Sequence, residues 1–260
     1  MNATPTPDNL SPQIIAVSSG KGGVGKTTFS VNLGIALARQ NKNVLLVDGD
    51  LGLANVDVAL GLNVRHTLQE TIEDGRNLSA VVVEVFPHFH VLPASSGVPE
   101  MASLAYEDQA YLLNALEEIG NQFDYIIVDT AAGIGDAVLW FNNWAHTNIV
   151  ILSPDPTSMT DAYALIKVLV TRYSKKSFYL VVNNVKSIKE GQGVFANINA
   201  VLNRFLKITP FYLGAIPQDS NVVQAIRTQT PLLVSARESK AAHALTGIAK
   251  RVMQINHPTN

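Results

Sequence analysis

The chain has 260 residues, long enough for one α/β domain with a well-buried core. A hydrophobic content of 47% with 15% charged residues excludes global disorder and suits a sheet covered on both faces. A formal net charge of −2 supplies no general attraction to DNA or an anionic membrane, and the absence of cysteine excludes disulfides, thiolate nucleophiles and thiolate metal sites.

Residues 1–12, MNATPTPDNLSP, carry neither a basic region nor an apolar stretch, so they read as a short disordered lead rather than a signal or transit peptide. Short β-branched runs then alternate with helical spacing. Strands are expected at 13–19, 43–50, 89–95, 124–130, 148–154, 178–184 and 210–217, and helices at 26–39, 107–119, 157–172, 194–205 and 240–255. The connection from 52 to 89 is the least regular region, and its stretch LSAVVVEV (78–85) reads equally as strand or helix. A tail follows at 257–260. No run approaches the roughly 20 apolar residues that a membrane-spanning helix needs. This alternation predicts a three-layer open sheet of mostly parallel strands with helices on both faces, a single domain over 13–256, and ligands at the carboxyl ends of the strands.

A strand ending at Ser19 runs into GKGGVGKTT (20–28) and then a helix. In that context the loop's backbone N–H groups converge on phosphate while the helix N-terminus adds its positive end. Gly20, Gly22, Gly23 and Gly25 permit close backbone approach, with Val24 among them. Lys26 can reach the β- and γ-phosphates, Thr27 can offer its hydroxyl to magnesium, and Thr28 continues the cradle into the helix. Lys21 is a second lysine where a generic phosphate loop requires no charge.

Asp48 and Asp50 close the apolar run NVLLVDGD, and their i, i+2 spacing sends both side chains to one face of an extended chain. One suits magnesium and the other water. Asp129 ends DYIIVDT, where a carboxylate holds magnesium through a water, and AAGIGD follows with small residues able to move when the γ-phosphate is lost.

The loop GKGGVGKT resembles the deviant Walker A motif of the MinD/ParA superfamily, and the likeness runs from about residue 13 to 256. It implies a P-loop ATPase that binds ATP or ADP with Mg2+. It also implies an ATP-dependent homodimer in which Lys21 reaches the partner's nucleotide, as an arginine finger would. By the same resemblance Asp48 supports the magnesium shell, Asp50 positions the attacking water, and Asn55 completes the first switch loop. VVNNVKS and GAIPQDSNV match the base-binding segments, which puts Asn183, Pro217 and Asp219 at adenine, with Asn184 a competing candidate.

Within the superfamily, DGDLGLANVDVALGL (48–62) and SPDPTSMTDAYALIK (153–167) look like the flagellar-number regulators called FlhG or FleN. That likeness implies a cytoplasmic ATPase, with the cell pole and transient contact with the inner membrane as further addresses. Its implied partners are an FlhF-type GTPase, a flagellar switch-complex protein or a transcription activator. The DQAxxLR motif that many FlhG proteins carry near the N-terminus is missing from the lead, and DQAYLL (108–113) falls inside an expected helix. Leu245, Ile248, Ala249 and Val252 form one narrow apolar face, better suited to packing on the sheet than to a bilayer, so membrane association is expected to be weak or absent. Competing readings are a nucleotide-gated binding module with negligible hydrolysis and a ParA-like DNA-positioning ATPase.

Trp140, Phe141 and Trp144 are expected mainly in the core, with a partner site as the alternative. Resemblance to the septum-site ATPases implies that Asp161, with Tyr163 and Lys167, marks a nucleotide-dependent docking helix, and a solvated helix acid is the alternative reading. His88 and His90 lack the cysteine or acidic neighbours of a metal site, so no metal beyond magnesium is assigned.

Overall fold

The computed structural model describes residues 11–64, 66–68, 77–94 and 106–255, which leaves most of the expected lead, all of the tail 257–260 and the end of the 89–95 strand outside the described residues. The apolar runs form strands β1 (Gln13–Ser19), β2 (Val44–Gly49), β3 (Val83–Phe86), β4 (Phe89–Leu92), β5 (Tyr125–Ala132), β6 (Thr147–Leu152), β7 (Phe178–Val185) and β8 (Phe211–Pro217). They pair in the order β3-β4-β2-β5-β1-β6-β7-β8. Every described pairing is parallel except the hairpin β3–β4.

Nine helices occur among the described residues: α1 (Lys26–Ala38), α2 (Val56–Leu60), α3 (Tyr106–Gly120), α4 (Asp136–Trp144), α5 (Pro156–Tyr173), α6 (Ile188–Leu206), α7 (Ser220–Arg227), α8 (Leu232–Ser235) and α9 (Lys240–Val252). The two-residue alternation of a strand divides β1 between layers. Ile15 and Val17 pack with Phe29 and Leu37 of α1 and with Leu245 and Ile248 of α9, whereas Ile14 and Ala16 pack with Leu112 of α3 and Phe141 of α4. A third cluster joins Leu165 and Leu169 of α5 and Ile198 of α6 to Val150 and Val182. β2 and β6 are buried along their whole length because both faces carry helices.

α6 begins at Ile188, earlier than the expected 194, because Ser187 caps it: the Ser187 hydroxyl accepts from the Glu190 N–H while the Glu190 carboxylate accepts from the Lys186 N–H. Gly191 sits inside this helix where a Cβ would stand 2.5 Å from that of Ala215. The ambiguous stretch resolves into a 3-10 turn at Leu78–Ala80 followed by β3. α9 stops at Val252, and its four apolar residues are buried against the sheet. No helix among the described residues is long and apolar enough to cross a membrane.

Candidate functional site

The glycine loop leaves the middle of the sheet, since β1 lies between β5 and β6. Its tightness has a local cause at two glycines. At Gly20 a Cβ would stand 2.6 Å from the Ala162 nitrogen and closer still to the Asp161 carbonyl, so the α5 backbone rests directly on the loop. Gly25 has φ of 89°, a left-handed conformation, and a Cβ there would run into the Asn183 amide. Asn183 braces the loop: its Nδ2 donates to the Val24 carbonyl at 2.7 Å, and its Oδ1 accepts from the Asn184 N–H at 2.8 Å.

Below the loop, three donors converge on Asp129. Lys26 Nζ donates to Oδ1 at 3.2 Å, Ser30 Oγ to Oδ1 at 2.8 Å, and Thr27 Oγ1 to Oδ2 at 2.6 Å. Ser30 was not anticipated, although it lies one helical turn after Lys26 and so on the same face. Asp48 stands beside Asp129 in register on the next strand. Its spacing from Asp50 predicted that both would face the nucleotide, but β2 ends at Gly49 and the chain bends away. Asp48 and Asp129 are both buried behind the residues that line the cleft. The Asp48 carboxylate accepts the N–H groups of Asp50, Asn55 and Val56 at 3.2, 2.9 and 3.0 Å, pinning the following loop. Burial, then the neighbouring Asp129, push the Asp48 carboxyl up to about 7 against those three bonds. Asp50 does line the cleft beside Asn55, and burial raises its pKa from the ordinary value.

Lys21 occupies the mouth. Its Nζ donates to Asp155 Oδ2 at 2.7 Å and to Thr157 Oγ1 at 2.6 Å, an exposed pairing across the loop. Asp155 also caps α5 through the Thr157 N–H at 2.8 Å. The Lys21 ammonium and these caps hold the Asp155 carboxyl down to about 2. Neither Asp155 nor Thr157 was anticipated as a site residue, though the Asp-Pro pair at 155–156 is a helix-start signal.

The cleft has two lobes. One, of about 460 Å³, is lined by Lys26, Thr27, Asp50, Asn55 and Ala132 and extends over Val31 and Leu232. The other, of about 390 Å³, is lined by Val24, Asn183, Asn184, Pro217, Asp219 and Val222. They meet at Gly22, Gly23, Gly25 and Thr28, which border both. The Asp219 carboxylate is engaged with the Asn221 and Ala241 N–H groups, so it shapes the second lobe as a cap of α7. Leu53, Val58, Ile134, Val223 and Ile226 are exposed large apolar side chains on the elements that border the cleft. A hydroxyl and carboxylates make an oxygen donor set that fits Mg2+, which takes one or two protein oxygens and completes its shell with phosphates and water. No cluster of three or more His, Asp or Glu able to hold a metal alone is present among the described residues.

Elsewhere, Trp140 and Trp144 pack partly against the core, His88 forms the β3–β4 turn and bonds Asn43, and His90 lies edge-on to Phe123.

Comparison with known proteins places the chain in a family. A family model described as an AAA domain matches residues 12–190. The chain is 41% identical to the antiactivator FleN of Pseudomonas aeruginosa over 95% of its own length and 89% of the relative's. It is 31% identical to the flagellum site-determining protein YlxH of Helicobacter pylori, over 91% and 80% respectively. Its fold superposes on the MinD cell division protein of Aquifex aeolicus with a TM-score of 0.77 and 27% identity, covering 95% of this chain and 99% of that one. The chain belongs to the MinD/ParA family of ATPases, in the group that includes the FleN and FlhG flagellar regulators.

Proposed function

We propose that the chain is an ATP-driven switch: it binds ATP with Mg2+ across the two lobes, dimerises, hydrolyses the γ-phosphate, and through the lifetime of the dimer regulates flagellar number and placement. The observation that carries this reading is the convergence of Lys26, Thr27 and Ser30 on Asp129 beneath the glycine loop, with a second lysine held at the open mouth. Thr27 and Asp129 would hold magnesium, with Asp48 fixing the loop behind them. The metal, when bound, screens charge on the β- and γ-phosphates. Lys26 contacts the transferred group, and Asp50 orients the attacking water. Lys21 exchanges its exposed contacts with Asp155 and Thr157 for the partner's nucleotide, where a cation delivered in trans stabilises charge developing on the phosphoryl oxygens. Asn184 and Pro217, with Asn183 and Asp219 as braces, would frame adenine. The apolar side chains around the cleft give the second protomer a surface to cover.

Size-exclusion chromatography with light scattering, in ADP and in ATP, tests the proposal. A dimer in ATP alone is expected, and a monomer in both states refutes it.

The 41% identity to an antiactivator supports a second reading, in which the nucleotide state gates capture of a transcription activator and hydrolysis is negligible. Capture of that activator by wild type and Asp50→Ala separates the two: equal release from both on ATP exhaustion excludes a hydrolysis-timed switch. An FlhF-type GTPase and a switch-complex protein remain the other partners to assay in the same format.

A further inference from the structure

A buried polar chain lies behind the cleft, and no step described above uses it. Ser18, Thr130 and Asn142 are each fully buried, on β1, β5 and α4 respectively. Ser18 immediately precedes the residue that opens into the glycine loop, and Thr130 follows Asp129. α4 leaves the Gly133–Gly135 turn that links it to β5.

Counting hydrogens fixes one end of the chain. The Asn142 amide has two N–H bonds, and both are spent, one on the Val138 carbonyl and one on Ser18 Oγ, each at 2.7 Å. Ser18 therefore accepts from Asn142, and its oxygen lies 3.0 Å from Thr130 Oγ1; whenever the Thr130 proton is on a carbonyl, Ser18 is the donor between the two hydroxyls. Thr130 has one proton and two carbonyls to choose between, that of Ala131 at 2.9 Å and that of Val17 at 3.2 Å. The Ala131 peptide begins the segment that carries Gly133, whose N–H is docked on the Ser19 carbonyl at 2.8 Å and whose φ is 94°. At the far end of the chain, Asn142 Oδ1 is buried with no partner. The network thus has an alternative acceptor at one end and an unused acceptor at the other, the ingredients of a two-position element.

We propose that Asn142 is a positioning residue through which α4 reads the nucleotide state: when the Ala131–Gly135 turn closes on a γ-phosphate, the Thr130 proton changes carbonyl and the chain moves α4 against α3. The proposal rests on the nucleotide-switch reading above. It assigns α4, and its indole face, to the output of the switch.

The protein carries its own reporter, because both of its tryptophans, Trp140 and Trp144, lie on α4. Trp140 packs on Phe141 with ring centroids 4.3 Å apart, and Trp144 Nε1 lies 3.4 Å from Glu117 Oε1 of α3. A shift of α4 against α3 changes both surroundings. The experiment records tryptophan emission of the full chain in Mg-ADP and in a non-hydrolysable Mg-ATP analogue, with affinity for each measured separately by calorimetry and folding checked by circular dichroism.

Wild type is expected to show a difference in emission between the two nucleotides. Thr130→Val and Asn142→Leu should bind both nucleotides and lose that difference, while Thr130→Ser, which keeps the hydroxyl, should retain it. If Asn142→Leu fails to fold, the Thr130 pair carries the test alone, since only the hydroxyl distinguishes its members. Wild type that binds both nucleotides with identical emission overturns the inference and leaves the switch reading standing. A full difference in folded Thr130→Val also overturns it. Absence of nucleotide binding in wild type overturns the switch reading itself.

Discussion

Replacing Gly20 by alanine puts one methyl group where the α5 backbone already lies. The new Cβ would stand 2.6 Å from the Ala162 nitrogen and nearer to the Asp161 carbonyl, whereas ordinary contact begins at 3.4 Å, so loop and helix must separate by at least 0.8 Å. Neither side can yield by rotating a side chain, since the obstructing atoms belong to a helix backbone. Overpacking of this kind costs about 1–3 kcal/mol, which lowers the melting temperature by about 2–12 °C for a chain of this size class. The functional loss is larger than the stability loss, because the loop's N–H groups must converge on one phosphate position, and a displacement near 1 Å costs on the order of 100-fold. The control is Gly22→Ala, where an added Cβ meets nothing within 4 Å and φ is not left-handed. Calorimetric titration with Mg-ADP and differential scanning calorimetry on both variants provide the readout. Gly20→Ala should melt early and bind at least about tenfold more weakly, while Gly22→Ala should melt as wild type does. If Gly20→Ala keeps both its melting temperature and its affinity, the packing of α5 on the loop does not set the loop's shape.

Asp50→Ala should reduce steady-state hydrolysis by about 100-fold or more while ATP-dependent dimerisation persists. Lys21→Ala should lose about 1,000-fold or more of turnover, as loss of a cation supplied in trans does; normal rates in both variants sink the mechanism. Mg-ATP at about a hundred times its dissociation constant should add about 2.7 kcal/mol of stability, visible as a melting temperature raised by about 5–11 °C and abolished by chelating the metal; a chelator-insensitive shift would refute magnesium's part. The Asp155 carboxyl, ordinarily at 3.8, is held down to about 2, so its pairing with Lys21 contributes fully above pH 4 and fades as pH falls through the lower value. Carboxyl-carbon NMR should place its midpoint there and find it moved back toward 3.8 in Lys21→Met, and an unmoved midpoint would show that the ammonium is not the cause.

The parts of the site that follow from spacing along the chain were legible in the sequence. GKGGVGKTT between a strand and a helix determines where Lys26 and Thr27 point, and the apolar run before Asp129 brings it to the same sheet edge. Contacts that need two distant segments were not legible. Asp155 and Thr157 come to Lys21 only because α5 starts above β6, next to β1, and Asn183 meets Val24 only across two strands of the sheet. The i, i+2 argument for Asp48 and Asp50 assumes that the strand continues, and it ends at Gly49, so Asp48 stays buried beside Asp129 while Asp50 lines the cleft. The helix start at Ile188 was readable in Ser187 and Glu190 as a capping pair. The short helices α2 and α8, of five and four residues, carry too few residues to show a period.

The two lobes share the glycine loop and differ in what they add to it. The residues that converge on Asp129 lie on α1, and Asp129 itself ends an apolar strand, all before residue 137; Thr230 and Leu232 border the lobe that Lys26 lines from the later chain, and the second lobe adds Asn183, Asn184, Pro217 and Asp219 to the loop. On the proposed reading, substitutions at Asn184 or Pro217, which border only the second lobe, should alter how the base is held while leaving the cluster around Asp129 in place.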